Sequence, residues 1–285
     1  VSGSLVLVAT PIGNLGDLSP RAKAVLAEAD RLYCEDTRRT RALLSANDIS
    51  SGGRLVSLHE HNEAFRIVQV LEELESGLTL ALVSDAGTPG ISDPGRLLVE
   101  AAARAGCQVT TVPGPSAVLA ALVVSGLATD RFVVEGFLPR RGAERAARIA
   151  SFVGEERTAV LLESPRRVAS TLVDLSTALG EERSVVVARE LTKLHEELWR
   201  GSLGEAVSHF GDVEIKGELV LVLAGAEPKR AAPVSDEAVR HFVVEAMHDG
   251  ATRRDAAHEA AATFGISRRR AYELATALVD GAAGA

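Results

Sequence analysis

Long apolar runs are missing from this 285-residue chain. No stretch approaches the roughly 18 residues of a membrane span, although 46% of the residues are hydrophobic. Cysteine is scarce: Cys34 and Cys107 stand alone, with no C-x-x-C pair and no Cys/His clustering. That excludes a disulfide framework and a thiolate metal site, and both thiols read as buried in a reduced, cytoplasmic setting. No basic segment followed by an apolar stretch stands near the start, so export is not expected. Excess positive charge is also absent; a net charge of −8 argues against a generic polyanion binder. Missing too are both common phosphate cradles. The first apolar run, Leu5–Ala9, leads into Thr10-Pro11-Ile12-Gly13-Asn14, where a dinucleotide fingerprint needs G-x-G-x-x-G and a P-loop needs G-K-[ST].

What is present is glycine and proline concentrated in loops. Leu80 to Gly95 reads LALVSDAGTPGISDPG: a buried strand, then Ser84-Asp85, then three glycines and two prolines. Packing does not ask for that composition. Glycine permits positive φ and close approach by a ligand, and proline fixes φ at the bends. The plainer alternative is an elaborate surface turn. A second such loop, Pro113-Gly114-Pro115-Ser116-Ala117, follows the strand Val109–Val112, and Ser116 opens an apolar helix over Val118–Val124. Together with the loop after Ala9, these segments place a small-molecule site at the carboxyl edge of a sheet.

The three loops resemble the tetrapyrrole methylases, and within them the branch that modifies small-subunit ribosomal RNA. The matching segments are ATPIGNLGDLSPRA (Ala9–Ala22), CEDTRRT (Cys34–Thr40), LHEHNE (Leu58–Glu63), SDAGTPGISDPG (Ser84–Gly95) and PGPSA (Pro113–Ala117). EGFLPRR (Glu135–Arg141), ESPRR (Glu163–Arg167), ARELTKLHEE (Ala188–Glu197) and KGELVLVLAG (Lys216–Gly225) extend the likeness over roughly residues 4 to 225. Porphyrin and cobalamin members usually carry G-x-G-P-G after the first strand. Thr10–Asn14 departs from it, which argues against a tetrapyrrole substrate.

The alternation of strands and helices agrees with an α/β fold. An N-terminal α/β domain is expected over residues 1–125 and a second over 126–226, with the cofactor cleft between them. Expected strands are Leu5–Ala9, Arg31–Cys34, Leu55–Leu58, Thr79–Val83 and Gln108–Val112, then Phe132–Glu135, Thr158–Glu163, Val185–Arg189, Glu197–Gly201 and Glu218–Ala224. The neighbouring runs at 185–190 and 197–201 read as a hairpin, so the second sheet is expected to be mixed. A polar linker, Ala226–Pro233, precedes a helical, helix-turn-helix-like appendage over 234–285, with Gly265-Ile266-Ser267 as its turn.

The resemblance implies S-adenosylmethionine as cofactor and methyl transfer to the ribose 2′-oxygen of a cytidine in 16S ribosomal RNA, within the small subunit, by a homodimer. It places Pro11, Ile12 and Gly13 on one wall of the cofactor site. Asp85, Ala86, Gly87 and Thr88 then lie at the methionine or ribose part, Ser116 and Ala117 beside the adenine, and Leu162 and Leu219 as apolar packing. No metal is required. The general base stays open between Glu190, His61 and Glu35, with Lys193 either lowered in pKa or orienting the 2′-oxygen. Plainer roles compete with these. His59 and His61 on one strand face would cap the next helix, and Asp36 would cap its own helix while Glu35 pairs with Arg38.

Arginine dominates the basic residues; only four of the 31 are lysine, which suits phosphate forks but also follows from a GC-rich genome. Four arginines against one acid occupy Phe137–Arg148, and five against two occupy Ala251–Arg270. Arg38, Arg140, Arg141, Arg166, Arg253, Arg268 and Arg269 are therefore the expected RNA contacts. Two other readings remain: a porphyrinoid C-methyltransferase, and a DNA-binding regulator built around the C-terminal helices. The second leaves the three glycine-rich loops without a purpose.

Overall fold

Period-two alternation sorts the first sheet into two faces. In the computed structural model, which describes residues 3–211, 213–227 and 235–280, strands β1 (Ser4–Val8), β2 (Arg31–Cys34), β3 (Leu55–Ser57), β4 (Thr79–Val83) and β5 (Gln108–Val112) pair in parallel. Their order is β3-β2-β4-β1-β5. Val6, Val8, Leu32, Cys34, Ala81 and Val83 pack on helices α1 (Pro20–Glu28) and α2 (Thr37–Ser45). On the other side, Leu5, Tyr33, Leu80 and Leu82 pack on α3 (Glu63–Glu75) and α4 (Arg96–Arg104). Right-handed crossovers require this split: β1→β2→β3 runs one way along the sheet and β3→β4→β5 runs back.

Local chemistry sets the helix starts. Ser19 Oγ accepts the Ala22 N–H at 3.1 Å with Pro20 at the first helical position, as expected. Helix α4 has Gly95 as its N-cap and so no side chain of its own to cap with. Glu63, 5% exposed, supplies one from α3: its Oε1 accepts the N–H groups of Gly95 and Leu98, both at 3.0 Å. A carboxylate at a helix N-terminus is also favoured by the helix dipole.

The second sheet is mixed, in the order β6-β7-β10-β8-β9. β6 (Phe132–Phe137) runs parallel to β7 (Thr158–Glu163). β10 (Leu219–Leu223) lies antiparallel between β7 and β8 (Ser184–Arg189), and β8 pairs antiparallel with β9 (Glu197–Ser202), the expected hairpin. One face carries α6 (Gly142–Ser151), α7 (Val168–Leu179) and α8 (Leu203–Phe210). The opposite face, from Val160, Val186, Ala188, Val220 and Val222, is covered by α5 (Ala117–Ser125). β6 runs two residues beyond its expected end, past a bulge between Val134 and Gly136 to Phe137. Helix α7 starts at Val168, because Ser164–Arg167 close a turn through Arg167 N–H···O=C Ser164 at 3.0 Å.

Residues 227–285 form a separate unit, in which α9 (Asp236–His248), α10 (Arg253–Phe264) and α11 (Arg268–Asp280) enclose a core of small residues. Residues 228–233 of the expected linker lie outside the described residues, as do 234 and 281–285 of the expected appendage. Among the described residues, no helix is long and apolar enough to cross a membrane.

Replacing Glu63 by Ala leaves two buried N–H donors unpaired. The Glu63→Ala chain should lose about 2–4 kcal/mol of unfolding free energy, read as a lowered urea midpoint. A shift below a few tenths of a kcal/mol would show that α4 does not depend on this carboxylate.

Candidate functional site

In the first sheet, β1 and β4 are neighbours, yet the chain leaves them toward opposite faces, through α1 and α4. A crevice opens outside their carboxyl ends at such a switch point. Its walls are the loops after β1, β4 and β5, and hydrogen bonds join them. Thr10 and Gly87 exchange backbone bonds in both directions (N–H···O 2.8 and 3.1 Å), Ser84 Oγ donates to the Gly87 carbonyl at 3.0 Å, and Thr88 Oγ1 donates to the Pro115 carbonyl at 3.1 Å. Gly87 sits at φ +88°, a conformation open to glycine.

The first loop also reaches the second sheet. Ile12 is buried with Val160, Val186 and Val220. Gly13 lies against the turn between β8 and β9, where a Cβ would overlap Lys193 Cγ and stand 2.7 Å from Thr192 Oγ1. In that turn two non-glycine residues take positive φ, Glu190 at +51° and Thr192 at +67°, a local cost of the kind found at functional sites.

Between the sheets lies a cavity of about 240 Å³, lined among others by Ile12, Asp85–Thr88, Ser116–Val118, Leu162 and Leu219. A neighbouring cavity of about 440 Å³ is lined by Pro11, Gly13, Arg39 and Lys193 and shares Ile12, Asp85, Ala86 and Glu218 with the first. All eleven residues expected at a cofactor therefore border one of the two cavities. Asp85 is held in place, its Oδ1 accepting the Asp36 N–H at 3.0 Å with Arg39 Nη1 3.6 Å from its Oδ2. Ser116 also has a structural task, since its Oγ caps α5 at the Leu119 N–H.

The expected proton acceptors fare differently. Glu190 Oε1 accepts from Lys193 Nζ and from the Glu218 N–H, both at 2.8 Å, and these bonds hold its pKa below the usual carboxylate range. Partial burial pulls Lys193 down, but its bonds to Glu190 and Glu218 outweigh that and raise its pKa. The expectation of a lysine lowered in pKa is thus reversed: Lys193 stays charged, and the pair fastens the hairpin turn. His61 is exposed and lines neither cavity. Strand β3 stops at Ser57, so His59 and His61 share no strand face; Asn62 Oδ1 ties the turn by accepting the His59 N–H at 2.8 Å. Asp36 does cap α2, but it is Asp36 and not Glu35 that pairs with Arg38, at 2.8 Å. Glu35 itself is raised by burial and by Asp85.

One carboxylate escaped the sequence reading. Asp93 lines the 240 Å³ cavity and has no ion pair among the described residues. Burial, with the charges of Glu35 and Asp85 beside it, pushes its pKa up to about 6. The loop is bent to present it: Gly90, Ser92 and Gly95 all have positive φ, at +83°, +61° and +129°. A non-glycine residue in that region, Ser92, was the detail to look for, and no sequence motif announces it.

Of the arginines, Arg140, Arg141 and Arg166 are exposed near the end of β6 and the turn after β7. Arg145 is instead 8% exposed, bonded to Asp174, Thr171 and the Pro139 carbonyl. Arg148 pairs with Glu135 at 3.0 Å. Arg167 reaches the Leu138 carbonyl at 2.7 Å and Glu163 at 3.3 Å. In the C-terminal unit Arg268 and Arg269 border a groove, but Arg253 does not; its Nε is buried.

A parallel sheet handing over to a mixed one, with a cavity walled by three glycine-rich loops, defines an α/β protein of the tetrapyrrole methylase class. The chain belongs to the family of tetrapyrrole (corrin/porphyrin) methylases, which matches residues 4–207, in the branch of the ribosomal RNA small subunit methyltransferase I proteins. It is 48% identical to ribosomal RNA small subunit methyltransferase I of Synechocystis sp. over 276 residues, covering 97% of this chain and 98% of that one. The protein of the same name in Mycobacterium tuberculosis is 48% identical over 274 residues, 95% of this chain and 94% of its own. In structure the chain resembles uroporphyrin-III C-methyltransferase of Thermus thermophilus, solved with S-adenosyl homocysteine: TM-score 0.55, 20% identity, 78% of this chain and 97% of that one. That likeness concerns the fold.

Gly13→Val should push the first loop off the hairpin turn and cost about 1–3 kcal/mol, as overpacking does. An unchanged midpoint in a denaturant titration would mean that loop and turn separate freely.

Proposed function

We propose that this chain transfers the methyl group of S-adenosylmethionine to the 2′-oxygen of a cytidine ribose in small-subunit ribosomal RNA. One observation carries the reading: relatives sharing nearly half their residues along almost the whole chain bear the name ribosomal RNA small subunit methyltransferase I, and the cytidine 2′-oxygen is the acceptor that the family resemblance implies. The porphyrinoid alternative has only a likeness of fold at 20% identity behind it, and a DNA regulator would leave the cleft idle.

The cavity suits the cofactor. Its apolar wall, Ile12, Val118, Leu162 and Leu219, fits an aromatic base. Asp85 and Asp93 add partly buried acidic groups to its lining, which favours a cationic ligand and opposes one carrying phosphates. Gly87 puts no side chain on the cavity wall, so a ligand can approach the loop closely. The cofactor would bring a methyl group already activated on a sulfonium.

What remains for the protein is alignment and proton removal. The loops would hold the receiving hydroxyl against the activated methyl group. Asp93 would take the proton of the 2′-hydroxyl as the methyl passes from the sulfonium sulfur to the oxygen and S-adenosyl homocysteine is left, and its raised pKa makes it a stronger base than an ordinary carboxylate. Exposed Arg140, Arg141 and Arg166 meet phosphates of the RNA backbone, and Arg38, though paired with Asp36, adds a further positive group. Two copies of the chain associate, a reading supported by exposed Leu119 and Val123 one turn apart on α5 and by exposed Phe132 and Val134 on edge strand β6.

Small ribosomal subunits from cells lacking this protein, given tritiated S-adenosylmethionine and the purified chain, should take up label that nucleoside digestion recovers as 2′-O-methylcytidine. Label in a porphyrinoid, or none in RNA, sinks the reading. With Asp93 as base, kcat/KM should climb tenfold per pH unit below about 6 and level off above it, because only the deprotonated form works. Asp93→Asn should reduce kcat by a factor of about 10²–10⁴, remove that inflection and leave cofactor affinity within a few-fold. A variant that keeps the inflection near pH 6 assigns it to another group.

A further inference from the structure

The C-terminal unit carries a surface that the methyl-transfer cleft does not use. Helices α10 and α11 meet through alanines: Ala256, Ala257, Ala260, Ala261, Ala271 and Ala275 are all buried. Small side chains let two helices approach closely, so the residues flanking the seam stand near one another. On α10 these are Arg254 and His258, one turn apart; on α11 they are Arg268, Arg269 and Tyr272. With Asp255 they line a groove along the seam. Asp255 is occupied locally: Thr252 Oγ1 donates to its carboxylate at 2.6 Å and caps its N–H in return. Arg254 and Arg268 have no ion pair among the described residues, and Arg269 stands 3.8 Å from Glu273. The third arginine of the run, Arg270, turns away to Asp236 of α9 at 2.7 Å.

We propose that this groove is a second RNA-binding site, in which Arg254, Arg268 and Arg269 hold backbone phosphates and Tyr272 stacks on an unpaired base. Guanidinium forks match phosphate geometry, and a half-exposed tyrosine among them offers a stacking face, the combination by which proteins hold single-stranded RNA. A protein partner is disfavoured. Such an interface needs apolar anchors to desolvate, and in this unit the exposed large apolar side chains, among the described residues, are Val244 and Tyr272 alone. The inference rests on the RNA-methylation reading for its choice of RNA, but it is tested apart from methyl transfer.

The test uses the full-length chain and fluorescence anisotropy with a labelled, mixed-sequence single-stranded RNA at several potassium chloride concentrations. Arg254→Glu with Arg268→Glu should weaken binding at least tenfold and flatten the log–log salt dependence by about 1.5, as expected for two lost phosphate contacts on a single strand. Tyr272→Ala should weaken binding by a similar factor at every salt concentration without changing the slope. Melting curves and S-adenosyl homocysteine titrations should match the parent for all variants. An unchanged slope in the folded double variant overturns the proposal, as does a variant that keeps its RNA affinity but loses affinity for RNA-free ribosomal proteins. If the parent chain labels small-subunit RNA while these variants bind it normally, the groove is discarded and the methyl-transfer reading stands. A parent that labels no RNA sinks the methyl-transfer reading whatever the groove does.

Discussion

Two hydrogen bonds between the backbones of Thr10 and Gly87 set the geometry on which the cleft depends. Strands end where they end because their apolar runs stop, and the loops beyond β1 and β4 would then be free to diverge toward α1 and α4. The bridge prevents that and turns two departing segments into one wall. Once the first loop is fixed, Ile12 enters the core layer of the second sheet and Gly13 can rest on the hairpin turn at Thr192 and Lys193. The pair of backbone bonds thus helps seat the first loop against both sheets. Their net worth is modest, on the order of 1 kcal/mol each; their effect is positional, because they hold two loops that the chain sends toward opposite faces.

The division of labour among charges follows from burial. Glu190 looks in the sequence like a catalytic group, Glu63 closes a segment shared with a known family, and Arg145 belongs to a basic cluster. In the structure each closes a circuit of local bonds: Glu63 caps α4, Glu190 holds Lys193 and the Glu218 N–H, and Arg145 clamps α6 to α7 through Asp174 and Thr171. A charged group whose bonding capacity is filled by its neighbours is poorly available to a substrate. Asp93 differs: it borders the cavity without a cation beside it, and burial among other carboxylates raises its affinity for a proton. Carboxylates paired with cations or capping helices mark the scaffold, and Asp93, bonded to Ser84 but with no ion pair among the described residues, is the candidate for chemistry.

Much of this was legible in the residues. Strands β2, β4, β5 and β7 fall at the expected boundaries, because apolar periodicity is a local signal. The placement of β10 between β7 and β8 was not legible, since strand order is decided by packing across the sheet rather than by any one segment. The turning of Arg253 away from the surface had a readable cause. It stands three and four residues before buried Ala256 and Ala257, as Arg145 stands one helical turn before buried Ile149. Helical phase therefore turns both inward, and it turns Arg254 and His258 outward together. Asp93 offered no such signal, because its exposure to the cavity comes from loop dihedrals at Gly90, Ser92 and Gly95.

That contrast explains why an acidic chain can serve an RNA-directed reaction. Asp85 and Asp93 are partly buried on the cavity wall, where opposite charge on a small cationic ligand would be attracted with less screening than on the surface. Exposed Arg140, Arg141 and Arg166 occupy the surface, where long flexible forks would reach phosphates that a recess of this size would not admit. A phosphate backbone drawn to those arginines would be repelled by the carboxylates of the cavity. An uncharged part of the RNA, a ribose hydroxyl and its base, would then be the part presented at the cavity mouth. Net charge alone, which reads −8, hides this arrangement: the sign that matters differs between the recess and the outer surface of the same unit.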